Sequence, residues 1–136
     1  MNVRAEQFLF VDHGQGEAAH LPYLPLELTL GAKSITVEGL VDSGSTINVL
    51  PYDVGIQLGA VWEQQTIPVQ LTGNLAREEA RALVVAARVG GFAPVKLAFA
   101  WTRLLSVPVI LGQVNFFMEF DVCLFRSRGV FEVRPK

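Results

Sequence analysis

Cysteine is nearly absent from this 136-residue chain: Cys123 stands alone, so no disulfide can form within it. Charge is also scarce. Charged residues make up 18% of the sequence, against ~25% in an average globular protein. Neither sign is in marked excess, since 11 basic and 13 acidic residues leave a net charge of −2. The polybasic footprint that attracts nucleic acid or anionic lipid is therefore missing, and neither is expected as a partner. Long apolar runs are missing too. The longest uncharged stretch, Leu104 to Met118, is interrupted by Ser106, Pro108, Gly112, Gln113 and Asn115 and falls short of the ~20 apolar residues of a membrane span. The opening Met-Asn-Val-Arg-Ala-Glu-Gln has no apolar core of a signal peptide, and with the lone cysteine this points to a reducing cytoplasm.

Apolar residues, by contrast, are plentiful. The chain is 51% hydrophobic with a mean hydropathy of +0.37, which excludes disorder. Its length fits a single domain spanning residues 1–136. So apolar a composition in so small a domain predicts that part of the surface is covered by a partner.

The pattern of the chain is mostly β. After a polar opening, residues 1–21, Leu24, Leu26, Leu28 and Leu30 alternate with Pro25, Glu27 and Thr29, the period of a half-buried strand. Gly31-Ala32 turns the chain, and Ile35 and Val37 repeat the alternation, so residues 23–41 read as a hairpin. Pro51 and Gly59 bracket a short helix. Ile67–Leu71 is a further strand, broken by Thr72-Gly73-Asn74. Residues 75–89 are ambiguous: Leu75 to Ala82 is rich in helix formers and favours helix locally, whereas Leu83-Val84-Val85 favours strand. Strands follow at Val95–Trp101 and Val107–Leu111, then a short helix ending near Met118, a strand at Phe120–Phe125 and a C-terminal hairpin strand over 126–136. Many short strands in one small chain predict a small closed β-barrel or sandwich with one or two short helices.

One loop stands out, Leu40-Val41-Asp42-Ser43-Gly44-Ser45-Thr46 followed by Ile47-Asn48-Val49-Leu50. Alone, Asp-Ser-Gly is ordinary turn chemistry. Between two apolar strands, however, the aspartate would sit on the floor of a cavity, with small neighbours that allow close approach. A second element, Val107-Pro108-Val109-Ile110-Leu111-Gly112, offers aliphatics and a glycine to pack beneath it.

These elements, taken in order, resemble the retropepsin-like aspartic proteases, the single-domain group that includes retroviral proteases and bacterial relatives. Residues 40–46 resemble the family's hydrophobic-hydrophobic-Asp-Ser/Thr-Gly-Ala/Ser loop, Asn48-Val49-Leu50 the segment after it, and Ile110-Leu111-Gly112 the hydrophobic-hydrophobic-Gly element before the family's helix. The resemblance covers residues 22–126. It implies a closed barrel of acid-protease type and peptide hydrolysis without metal or organic cofactor. In that reading Asp42 is the catalytic carboxylate, Ser43 braces the loop of a second subunit, Gly44 permits close approach, Ser45 bonds near the carboxylate, and Gly112 makes room beneath the loop. Leu71 to Ala80 occupies the place of the substrate-covering flap, with Gly73, Asn74 and Leu75 at its tip, which makes residues 75–89 at least partly strand. The chemistry uses two carboxylates that share a proton. Asp12, Asp53 and Asp121 have no Ser-Gly after them, so the expected assembly is a homodimer with two Asp42 residues at its axis and a polypeptide as substrate. The alternative is a catalytically silent barrel that binds peptides or mediates assembly.

The remaining features read plainly. His13 and His20, near Asp12 and Glu17, lack the dense spacing of a metal site and read as a solvated terminus. Gly14-Gln15-Gly16 lacks the context of a phosphate loop, and Gly90-Gly91 reads as a turn. Cys123 has no activating histidine beside it and reads as an inert thiol. Trp62, Trp101 and the nine phenylalanines belong to core, interface or pocket walls, which sequence does not sort.

Overall fold

The computed structural model of the chain describes residues 4–14 and 20–136. Gln15, Gly16 and Glu17 of the polar opening lie outside them. Six strands close into a barrel: β4 (Tyr23–Leu30), β5 (Lys33–Val41), β6 (Asn48–Leu50), β7 (Ala80–Val89), β8 (Val95–Thr102) and β9 (Val109–Leu111), in the spatial order β4-β5-β9-β6-β8-β7. Among the described residues, helix is confined to α1 (Tyr52–Gln57), α2 (Phe116–Glu119) and short 3₁₀ turns. No helix among the described residues is long and apolar enough to cross a membrane.

The β4–β5 hairpin follows from its alternation. Leu24, Leu26 and Leu28 point inward and are buried, and the turn is made by Gly31 at φ +59. Residues 80–89 are strand throughout, against their local helix preference, because β7 pairs with β4 on one side and β8 on the other. Leu83, Val85, Ala87 and Val89 are buried while Val84 and Arg88 are exposed, so burial of one face overrides propensity. Pro51 is the N-cap of α1 rather than its first helical residue, and Gly59 takes φ +82 just beyond it. Both tryptophans lie in the core. Trp101 stacks on Tyr52 and meets Trp62 edge-on, while the guanidinium of Arg81 lies 4.4 Å from the Trp62 ring centroid.

A second sheet flanks the barrel, with β11 (Val130–Pro135) between β1 (Glu6–Leu9) and β10 (Phe120–Phe125). The N-terminal segment is therefore more than a solvated terminus. Phe8 and Phe10 pack on Phe131, and the Phe10 amide donates to the Gly129 carbonyl. The Glu6 carboxylate accepts from the Gly91 amide at 2.8 Å, tying β1 to the β7–β8 turn. Two short strands, β2 (Val11–Asp12) and β3 (His20–Leu21), pair with each other. His20 Nε2 bonds the Phe10 carbonyl oxygen, and His13 stacks on Tyr23 beside Glu38.

Candidate active site

β5 and β6, the strands on either side of the Asp42 loop, are not neighbours. β9 lies between them, parallel to β5 and antiparallel to β6. The loop therefore has to cross over the end of β9. Its course is set by backbone bonds: the Asp42 amide donates to the Leu111 carbonyl, the Gln113 amide to the Ser45 carbonyl, and the Val114 amide to the Thr46 carbonyl, all at 2.8–3.0 Å. Asp42 begins this crossing at the point where β5 leaves the barrel wall, and it is half-buried.

Within the loop, Oδ1 of Asp42 accepts from the Gly44 amide at 2.9 Å. A β-carbon on Gly44 would lie 3.2 Å from that same oxygen, so glycine keeps the carboxylate uncrowded. The Ser45 amide donates to the Asp42 carbonyl, but the Ser45 hydroxyl donates to the Ile47 carbonyl at 2.7 Å. That hydroxyl braces the loop backbone and not the carboxylate. Ser43 is exposed, and its carbonyl accepts from Gln113 Nε2. At Gly112, where the loop crosses, an added β-carbon would stand 2.5 Å from the Ile47 carbonyl oxygen and 2.8 Å from that of Ser45, both backbone atoms. The structure thus brings Asp42, Ser43, Gly44, Ser45 and Gly112 into one knot.

Asn48 holds this knot from below. The side chain is fully buried: Oδ1 accepts from the Gly112 amide at 2.8 Å, while Nδ2 donates to the Ala98 carbonyl and to Asn115 Oδ1. Asn115 in turn accepts from the Ala98 amide and donates to the Lys96 carbonyl. Sequence reasoning assigned no role to Asn48, Gln113 or Asn115. The available signal was an asparagine between Ile47 and Val49, because a polar side chain in an apolar strand needs partners for each of its groups.

Gly73, Asn74 and Leu75 lie apart from the knot, in a 3₁₀ turn at the tip of a hairpin. Its two arms are residues 67–69 and 80–82, joined by the Val69 amide to the Ala80 carbonyl and the Ala82 amide to the Ile67 carbonyl. Gly73, at φ +62, and Asn74 are exposed, and neither bonds Asp42. Leu75 is half-buried against a small cluster of Val49, Leu71, Ala80 and Ala100, which Ile47 and Ile110 also join. That cluster links the hairpin to β6 through Val49 and to β9 through Ile110, the strand after the Asp42 loop and the strand the loop crosses.

On another side of Asp42 lies a cavity of about 350 Å³ lined by Val41, Asp42, Ser43, Phe117, Val122 and Leu124. One carboxylate therefore opens onto a partly apolar hollow between the loop, α2 and β10. Asp121 faces away, with Arg134 at 3.5 Å, and Asp53 lies in the first turn of α1.

No protein-family model matches the sequence, and no curated protein matches it. Solved structures do. A retropepsin-like aspartic protease from Rickettsia conorii aligns with a TM-score of 0.63 and 12% identity, over 95% of this chain and 99% of that one. The retroviral protease-like domain of Ddi1 from Leishmania major aligns with a TM-score of 0.58 and 14% identity, over 74% of this chain and 79% of that one. The barrel, with β9 threaded between the strands that carry the Asp42 loop, is a retropepsin-like fold.

Proposed function

We propose that this chain is an aspartic endopeptidase that works as a homodimer, with one Asp42 from each subunit forming the catalytic pair. The observation that carries this reading is the confinement of Asp42: its loop is pinned by backbone bonds to Leu111, Gln113 and Val114, and its carboxylate accepts from the Gly44 amide. Pre-set position is what a shared-proton pair requires, because two carboxylates in contact must be kept from moving apart.

In the reaction, one Asp42 in its ionised form takes a proton from a water molecule. That water attacks the scissile carbonyl of a polypeptide, and the protonated Asp42 of the other subunit donates to the carbonyl oxygen. Ser43, exposed beside the carboxylate, braces the second loop in this reading. The hairpin ending at Gly73, Asn74 and Leu75 is the segment that closes over substrate and excludes water. Ile47, Ile110 and Leu75 supply apolar wall between hairpin and loop.

Cleavage of an unstructured polypeptide by the purified chain, compared with Asp42→Asn, tests the reading. Loss of turnover in a variant that keeps its circular dichroism spectrum is the expected result. Retained turnover overturns the aspartic mechanism, and a wild-type chain that binds polypeptides without cutting them is instead a peptide-binding barrel.

A further inference from the structure

One peptide group in the Asp42 loop lies between two side chains. Its N–H, that of Gly44, donates to Asp42 Oδ1 at 2.9 Å, and its carbonyl, that of Ser43, accepts from Gln113 Nε2 at 2.8 Å. The N–H and the carbonyl point to opposite sides of a trans peptide plane, so the Asp42 carboxylate and the Gln113 side chain grip the same plane from its two ends. A carbonyl oxygen takes only a donor, which fixes Nε2 and not Oε1 as the end of Gln113 that faces it.

Gln113 reaches this contact from a fastened base. Its own backbone amide donates to the Ser45 carbonyl at 2.9 Å, so one residue holds the loop on both sides of Gly44. Gln113 is nonetheless exposed. A neutral hydrogen bond at the surface adds little to stability, and keeping a glutamine still costs rotamer freedom. Its effect is therefore on orientation. With the Ser43 carbonyl held, the plane is kept from rotating and the Gly44 N–H stays aimed at Oδ1. A donor on the carbonyl also polarises the peptide group and strengthens the bond its N–H gives. Among the described residues, Asp42 Oδ2 accepts no bond within the chain.

We propose that Gln113 is a positioning residue for catalysis: through the Ser43–Gly44 peptide it sets the rotation of the Asp42 carboxylate, fixing Oδ1 so that Oδ2 is presented to the reacting water and the second carboxylate. The inference rests on the aspartic protease reading above. It adds a residue that acts on the carboxylate only through the backbone.

Gln113→Met tests this, because methionine keeps the length of the side chain and has no N–H donor, while the backbone bond to Ser45 remains. Two readouts are taken on folded chains. In amide spectra of ¹⁵N-labelled protein, the Gly44 signal should move, its proton upfield, while those of Val49 in β6 and Leu111 in β9 stay in place. In cleavage of an unstructured polypeptide, kcat should fall about five- to tenfold, the factor that one hydrogen bond is worth. KM should stay within about twofold, since no group that binds substrate has changed. A Gly44 signal that does not move overturns the inference, as does a wild-type kcat or a loss confined to KM. A shift that spreads to Val49 and Leu111 also overturns it, because Gln113 would then support the fold and not one peptide plane. The two readings fail differently: a wild-type chain that cleaves nothing sinks the protease and this role together, whereas wild-type cleavage with kcat unchanged in Gln113→Met sinks the role alone.

Discussion

The α-carbon of Gly112 is so close to the Ile47 carbonyl that a β-carbon there would stand 2.5 Å from its oxygen. Both sides of that contact are backbone, and both are tied elsewhere, Gly112 through Asn48 and the Ile47 carbonyl through the Ser45 hydroxyl. Neither can retreat cheaply. Gly112→Ala should therefore destabilise the chain by about 2 kcal/mol or more, as overpacking of a tight site does. It should also displace the Asp42 loop. Thermal unfolding and the rate of polypeptide cleavage are the measurements, and the cleavage rate is expected to fall further than the stability loss alone explains.

Asn48→Ala tests the support beneath the loop. It strands the buried Gly112 amide and removes the donor to the Ala98 carbonyl. Leaving such groups unpaired costs about 3 kcal/mol in all. Urea denaturation should show a lower midpoint with an unchanged slope. A loss below about 1 kcal/mol would mean that water replaces the side chain.

Glu6→Ala addresses the N-terminal strand. The carboxylate of Glu6 is half-buried and holds the Gly91 amide, so its removal should cost about 1 kcal/mol once solvent screening is allowed for. The clearer readout is amide exchange, which should speed up in β1 and at Gly91 while β4 and β5 stay protected.

Cleavage should follow a bell-shaped pH profile. The proposed reaction needs one carboxylate as base and the other as acid, so it stops when either form is lost. Activity that climbs steadily into alkaline pH would contradict a carboxylate pair.

Much of this arrangement can be read in the sequence because its causes are local. Leu24, Leu26 and Leu28 announce a strand by alternation, and Asp42-Ser43-Gly44 with Ile110-Leu111-Gly112 marks the loop and the strand beneath it. What is not readable has distant causes. Glu6–Leu9 is a strand because Val130–Val133 lies beside it, a partner more than a hundred residues away whose approach leaves no local pattern. Residues 80–82 are extended because the 67–69 arm and β8 both bond them, which outweighs the helix-forming alanines and glutamates just before. Ser45 illustrates a third limit. Its position in the loop suggests a hydrogen bond near the carboxylate, and which acceptor it takes, the Ile47 carbonyl, depends on the turn of the backbone after it.

The shared site is tested most directly by mixing wild-type chains with an excess of Asp42→Asn chains and letting subunits exchange. With a roughly ninefold excess, only about one wild-type chain in ten pairs with another wild-type chain, if pairing is isologous and unbiased. Each mixed dimer then carries one carboxylate and one amide. Cleavage should fall far below that of the same concentration of wild type alone, approaching one tenth where dimers are saturated. If exchange is verified by mass-tagged subunits and cleavage does not fall, each chain acts by itself and the paired Asp42 mechanism is wrong.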